Sequence, residues 1–232
     1  GTFGPGLAAI TLLVARHGRS GAWDEVRGLL RWRLGLGWWA VALLGPVAIL
    51  LAGIGVVAAV GIEVTGWSDP EQWYLVVPVF AYVVFFGGPL GEELGWRGWA
   101  LPRLQSLTSP VVASLGIGAV WSLWHWPLFI VEGTVQQSTP VAAFALQIVL
   151  TSVVYTWLWN HTASLPLVIG FHAAFNTAVG VFPILPGVAG TSAPLWSAIG
   201  VGSVVAATLI GVTRGRLGLR PDTPTHPSHP TR

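Results

Sequence analysis

The chain has 232 residues, 53% of them hydrophobic and only 9% charged, against about 25% charged in an ordinary soluble domain. Its net charge of +2 is too small and too dispersed for nucleic-acid binding. With no cysteine, disulfides, thiolate metal sites and a cysteine nucleophile are excluded.

A bilayer-spanning helix needs roughly 20 mostly apolar residues. In chain order, Gly1 to Ala15 is apolar but too short and reads as a partial span. The chain has no Met and reads as lacking its native N-terminus. Residues 16–33 suit either a short amphipathic helix on the membrane surface, with Trp23, Leu29, Leu30 and Trp32 against lipid, or an ordinary loop. Full spans follow at 38–61, 73–90, 111–131, 141–159, 163–183 and 195–212, the first carrying Pro46. The expected fold is all-α, a polytopic bundle of six full spans plus one partial one, forming a single integral-membrane unit over 1–219. The apolar runs are continuous rather than alternating, which excludes a β-barrel. The remainder, 220–232, is rich in Pro, Thr and His and is expected to be disordered, with His226 and His229 incidental to any metal site.

All 11 basic residues are arginines, and alternating the spans puts every one of them on a single side. The opposite connections carry Glu63, Asp69, Glu71 and Glu132. The positive-inside rule makes the arginine side, with the C-terminus, cytoplasmic. The Arg-, Ala-, Gly- and Trp-rich, Lys-free composition suggests a bacterial source and hence a bacterial cell membrane.

Ionisable groups inside such spans cost about 2.5–3.5 kcal/mol each at a helix centre, which makes them functional candidates. Three clusters occur. In GEELGWRGW, Glu92 and Glu93 point about 100° apart on a helix, and Arg97 lies four residues after Glu93. In WSLWHW, His125 sits among Trp121, Trp124 and Trp126. In FHAAFN, His172 and Asn176 share one helical face. Each has an ordinary structural reading: a helix-end ion pair, a carbonyl-bonded histidine, an interhelical polar clamp. Facing lipid together, they would cost on the order of 10 kcal/mol or more, and convergence on one interior cavity avoids that. Two histidines and carboxylates suffice to hold a divalent metal or activate a water, and Asn176 suffices to donate to an oxyanion. There is no HExxH sequence.

EELGWR, WSLWH and FHAAFN resemble the EExxxR, FxxxH and HxxxN motifs of the CPBP family of CAAX-protease and bacteriocin-processing intramembrane proteases. Trp121 stands where that family usually has Phe. The resemblance implies an intramembrane endopeptidase acting on a membrane-associated protein or peptide in the lipid bilayer. It makes Glu92 the general base, helped by His125, with Glu93 tuning the site and Arg97 as its ionic partner. His172 and Asn176 would complete the site. Two chemistries remain open: a Zn2+ ion on Glu92, His125 and His172, or a metal-free glutamate-activated water. The rival classes are a non-proteolytic scaffold or bacteriocin-immunity protein and a proton-coupled transporter, although no inverted repeat is found. For the clusters to meet, the glutamate-bearing helix should run unbroken over about 71–98, with Trp96 and Trp99 at the interface and the site open to the cytoplasmic leaflet.

Overall fold

The computed structural model describes residues 1–219, and the expectations for the tail at 220–232 lie outside them. All regular structure in these residues is helical. In chain order it comprises α1 (Gly4–Leu29), α2 (Leu36–Ala59), a 3-10 turn (Pro70–Leu75), α3 (Val76–Phe86), α4 (Pro89–Glu93), a π-helical segment (Leu94–Ala100) and α5 (Leu101–Gln105). There follow α6 (Pro110–Trp124), two further 3-10 turns (Trp126–Phe129 and Val135–Ser138), α7 (Val141–Thr162), α8 (Leu165–Val181), α9 (Pro186–Ala189) and α10 (Ala193–Val212).

Five of these stretches are long and apolar enough to cross a membrane: Leu36–Ala59, Pro70–Gln105, Val141–Thr162, Leu165–Ala189 and Ala193–Val212. The sixth expected span is shorter than its apolar sequence. Its α-helix stops at Trp124, because Pro127 has no N–H to continue the ladder and the chain tightens into a 3-10 turn. The outside of the bundle is apolar, with Leu36, Val77, Phe86 and Leu123 among its most exposed side chains, as expected of a surface meant for hydrocarbon.

The region read as a partial span plus a surface segment is helical on both sides of a kink at Gly18, whose φ of 67° and ψ of 178° are not helical. Trp23 and Trp32 are exposed as the amphipathic reading requires, but Leu29 packs inward on the protein core.

The unbroken helix expected over 71–98 is corrected by the structure. The chain does continue helically past Gly91, but it breaks at Gly87–Gly88 and restarts at Pro89. Gly88 has φ 109°, a region that residues with a Cβ rarely enter. Pro89 then occupies the first helical turn, where its missing N–H is harmless. The break lets the chain restart in a new direction at the depth of the glutamates.

Helix contacts rest on small residues, the usual solution where apolar burial between helices gains little over lipid. α2 packs on α8 and α10, and α6 packs on α7. The N-terminal turn of α1 lies directly against α4 and the π segment. A Cβ at Gly91 would stand 2.5 Å from the Thr2 carbonyl oxygen and 2.7 Å from Phe3 Cα. Gly91→Ala is therefore expected to destabilise by about 1–3 kcal/mol through overpacking, lowering the thermal unfolding midpoint in detergent by roughly 5 °C. Gly116→Ala, where a Cβ meets nothing within 4 Å, serves as the unaffected control. Equal midpoints for the two variants would contradict the close packing of α1 on α4.

Candidate active site

The site grows out of the restarted helix. Glu92 and Glu93 lie at the end of α4, and the π-helical segment that follows carries Arg97. Single wide turns of this kind recur at functional positions. Because neighbouring residues on a helix diverge by about 100°, the two carboxylates enter different surroundings.

Glu93 is fully buried and fully engaged. Arg97 Nη1 donates to both of its oxygens, at 3.0 and 3.1 Å, and His172 Nδ1 lies 2.9 Å from Oε1. Arg97 is also completely buried. Its guanidinium sits between two rings, 4.4 Å from the Trp121 centroid and 4.1 Å from the Tyr155 centroid. Its Nη2 donates to Ser152 Oγ at 3.4 Å, and that hydroxyl donates in turn to the Ser114 carbonyl at 2.9 Å. Four helical segments thus converge on one ion pair.

Glu92 faces the other way, into a cavity of about 400 Å³. It is 3% exposed, and its Oε2 accepts from Trp121 Nε1 at 2.5 Å. Glu92 is the one carboxylate among the residues lining this cavity, and His125, His172 and Asn176 line it too. His125 caps the C-terminus of α6, with Nδ1 2.9 Å from the Trp121 carbonyl oxygen. A carbonyl oxygen only accepts, so Nδ1 carries the proton and Nε2 is the basic nitrogen of the neutral ring. The same reasoning applies to His172, whose Nδ1 meets a carboxylate.

All six residues selected from the sequence therefore meet. Glu92, His125, His172 and Asn176 line the cavity, while Glu93 and Arg97 form its buried support. Sequence reasoning missed Ser152 and Tyr155 on α7. Their signal was present, since Ser152, Tyr155 and Thr156 place polar groups three and four residues apart in an apolar helix. Tyr155 lines the cavity, and its hydroxyl has no hydrogen-bond partner among the described residues. Trp121 was noticed as a bulky aromatic, but its N–H on Glu92 was not foreseen.

No group of three or more His, Cys, Asp or Glu side chains that could hold a metal ion is found among the described residues. The cavity is lined by connections as well as by helices. Its lining outside the helices includes Thr139, Ile184 and Leu185, along with Val135 and Gln136 of a 3-10 turn, all in the arginine-free connections. The reason is that His125 stands at the far end of α6 from Ser109, and the glutamates reach it by the break at Gly88.

Residues 72–178, which hold all three motifs, match the family model of type II CAAX prenyl endopeptidase Rce1-like proteins. A CAAX prenyl protease 2 of Methanococcus maripaludis is 40% identical over 92 residues, covering 37% of this chain and 34% of that protein. The match thus spans about a third of the relative's length. Over these residues the chain is similar to the Rce1-like family.

Removing Arg97 strands a buried carboxylate, a change that costs about 3–5 kcal/mol in comparable buried pairs. Arg97→Leu is expected to lower the unfolding midpoint in detergent by roughly 10 °C, and Arg97→Lys to recover only part of it, because an ammonium lacks the flat face that stacks between Trp121 and Tyr155. A midpoint for Arg97→Leu equal to the parent's would show that the pair does not hold the site together.

Proposed function

We propose that this chain belongs to the Rce1-like family and is an intramembrane endopeptidase that hydrolyses a peptide bond of a membrane-associated protein or peptide. The observation that carries the reading is the separation of the two adjacent carboxylates. Glu93 is locked in a buried ion pair, and Glu92 stands alone on a cavity lined by two histidines and an asparagine amide. That is the donor and acceptor set water-mediated amide hydrolysis requires.

In this mechanism Glu92 takes a proton from a water molecule in the cavity, and His125, through Nε2, holds that water for attack. As the hydroxide oxygen bonds to the carbonyl carbon, the carbonyl electron pair moves onto its oxygen. The Asn176 amide donates to that developing oxyanion. His172, oriented by the hydrogen bond between its Nδ1 and the Glu93 carboxylate, donates to the same oxyanion from Nε2. Collapse of the tetrahedral intermediate expels the amine, which receives its proton from Glu92. Every step runs through protein groups and water, with no acyl-enzyme. If the arginine-bearing loops are cytoplasmic, as their distribution directs, the cavity faces the opposite side of the membrane, and the scissile segment enters from there.

The test is to incubate the purified protein in detergent with a fluorogenic peptide library and to read new termini by mass spectrometry. The parent is expected to cleave. Glu92→Gln should lose at least about 1,000-fold in kcat and His172→Ala about 100-fold or more, in line with the loss of a base and of an oxyanion donor. EDTA and 1,10-phenanthroline should leave the parent's rate unchanged. Cleavage persisting in Glu92→Gln, or abolished by chelator and restored by zinc, would contradict the mechanism. A parent that cleaves nothing would contradict the assignment as a protease.

A further inference from the structure

The cavity explains what Glu92 faces but leaves open how a carboxylate on a flexible side chain is held for one task. One hydrogen bond holds it, and a glycine leaves room for it. Oε2 accepts from Trp121 Nε1 at 2.5 Å in a buried setting. Oε1 lies over Gly88, only 2.6 Å from where a Cβ at that position would stand. Gly88 is thus glycine for two reasons. Its φ of 109° disfavours a side chain, and any side chain would fill the space Oε1 occupies.

Trp121 is itself buried and closely packed. It is 4% exposed and packs edge-on against Tyr155 and His172 at centroid distances of 5.6 and 5.4 Å. The Arg97 guanidinium covers one part of the ring, and the carbonyl of Trp121 fixes His125 through Nδ1. One residue therefore touches the base, the neighbouring histidine and the buried cation. A phenylalanine here would preserve the ring contacts but would offer Glu92 no donor.

We propose that Trp121 is a positioning residue that clamps the Glu92 carboxylate in the room Gly88 leaves for it, occupying Oε2 so that Oε1 alone addresses the water. The inference rests on the reading of Glu92 as the base. In the proton-transfer step Oε1 accepts the water proton, while the hydrogen bond to Oε2 is kept throughout and no proton leaves the indole. The clamp acts on orientation and not on substrate affinity, so its effect belongs in kcat. Misplacement of a reacting group by about 1 Å commonly lowers rate by about 100-fold.

The experiment compares the parent, Trp121→Phe and Glu92→Gln on the library peptide that the parent cleaves fastest, with unfolding midpoints measured on the same preparations. Trp121→Phe is expected to keep KM within about twofold while kcat falls by roughly 10- to 100-fold. Should Trp121→Phe unfold, benzothienylalanine placed at position 121 by nonsense suppression replaces the indole N–H with sulfur and keeps the ring shape. The same kcat loss is expected from it. A kcat within twofold of the parent in either folded variant overturns the clamp, as does a raised KM with kcat unchanged. If Trp121→Phe is unaffected while Glu92→Gln is inactive, the clamp fails and the protease mechanism stands. If Glu92→Gln remains active, the mechanism itself fails and the clamp falls with it.

Discussion

A fully buried arginine in a bundle with an apolar exterior is the constraint on which the rest depends. Arg97 has no access to water, and a guanidinium so placed is stable only if its charge and its donors are met. Glu93 answers the charge, Trp121 and Tyr155 cover two faces, and Ser152 takes one further donor. These partners come from α4, α6 and α7, and α8 joins through His172 on Glu93. Satisfying one cation thus draws together the helices that carry the reactive groups. The cavity lies beside that junction, with its reactive side chains attached to elements the ion pair has already fixed.

The same constraint explains why two acidic residues are adjacent. One carboxylate must remain with Arg97, so a second is needed to face the cavity. Helical divergence of about 100° between neighbours is enough to separate their surroundings. The break at Gly88 and the wide turn after Glu93 bring this divergence to the right depth, next to the end of α6 and the middle of α8. Glu92 acquires its own fixed partner, Trp121, independent of the ion pair. Two adjacent carboxylates thereby occupy separate surroundings.

Much of this was legible in the sequence because membrane burial imposes simple rules. Long apolar runs had to be helices, and ionisable residues within them had to find one another, which is how Glu92, Glu93, Arg97, His125, His172 and Asn176 came to be grouped. What escaped was set by local backbone and by direction. Gly87-Gly88-Pro89 is visible as a turn signal, yet hydropathy alone suggested an uninterrupted helix there. Pro127 shortens α6 and places His125 at its end, beside cavity-lining residues of the arginine-free connections. The charge distribution reports which loops lie on one side, but not towards which side a cavity between the helices widens. The Trp121–Glu92 hydrogen bond depends on side-chain orientation, which residue spacing does not encode.

The central claim is that Glu93 builds the site and Glu92 works in it. It is tested most directly by measuring thermal unfolding and peptide cleavage together on Glu92→Gln and Glu93→Gln. The account predicts that Glu92→Gln unfolds within about 2 °C of the parent and is inactive. Glu93→Gln, which leaves Arg97 without its counter-charge, should unfold at least roughly 8 °C lower. A Glu93→Gln variant as stable as the parent, or a destabilised Glu92→Gln variant that still cleaves, would contradict this division of labour.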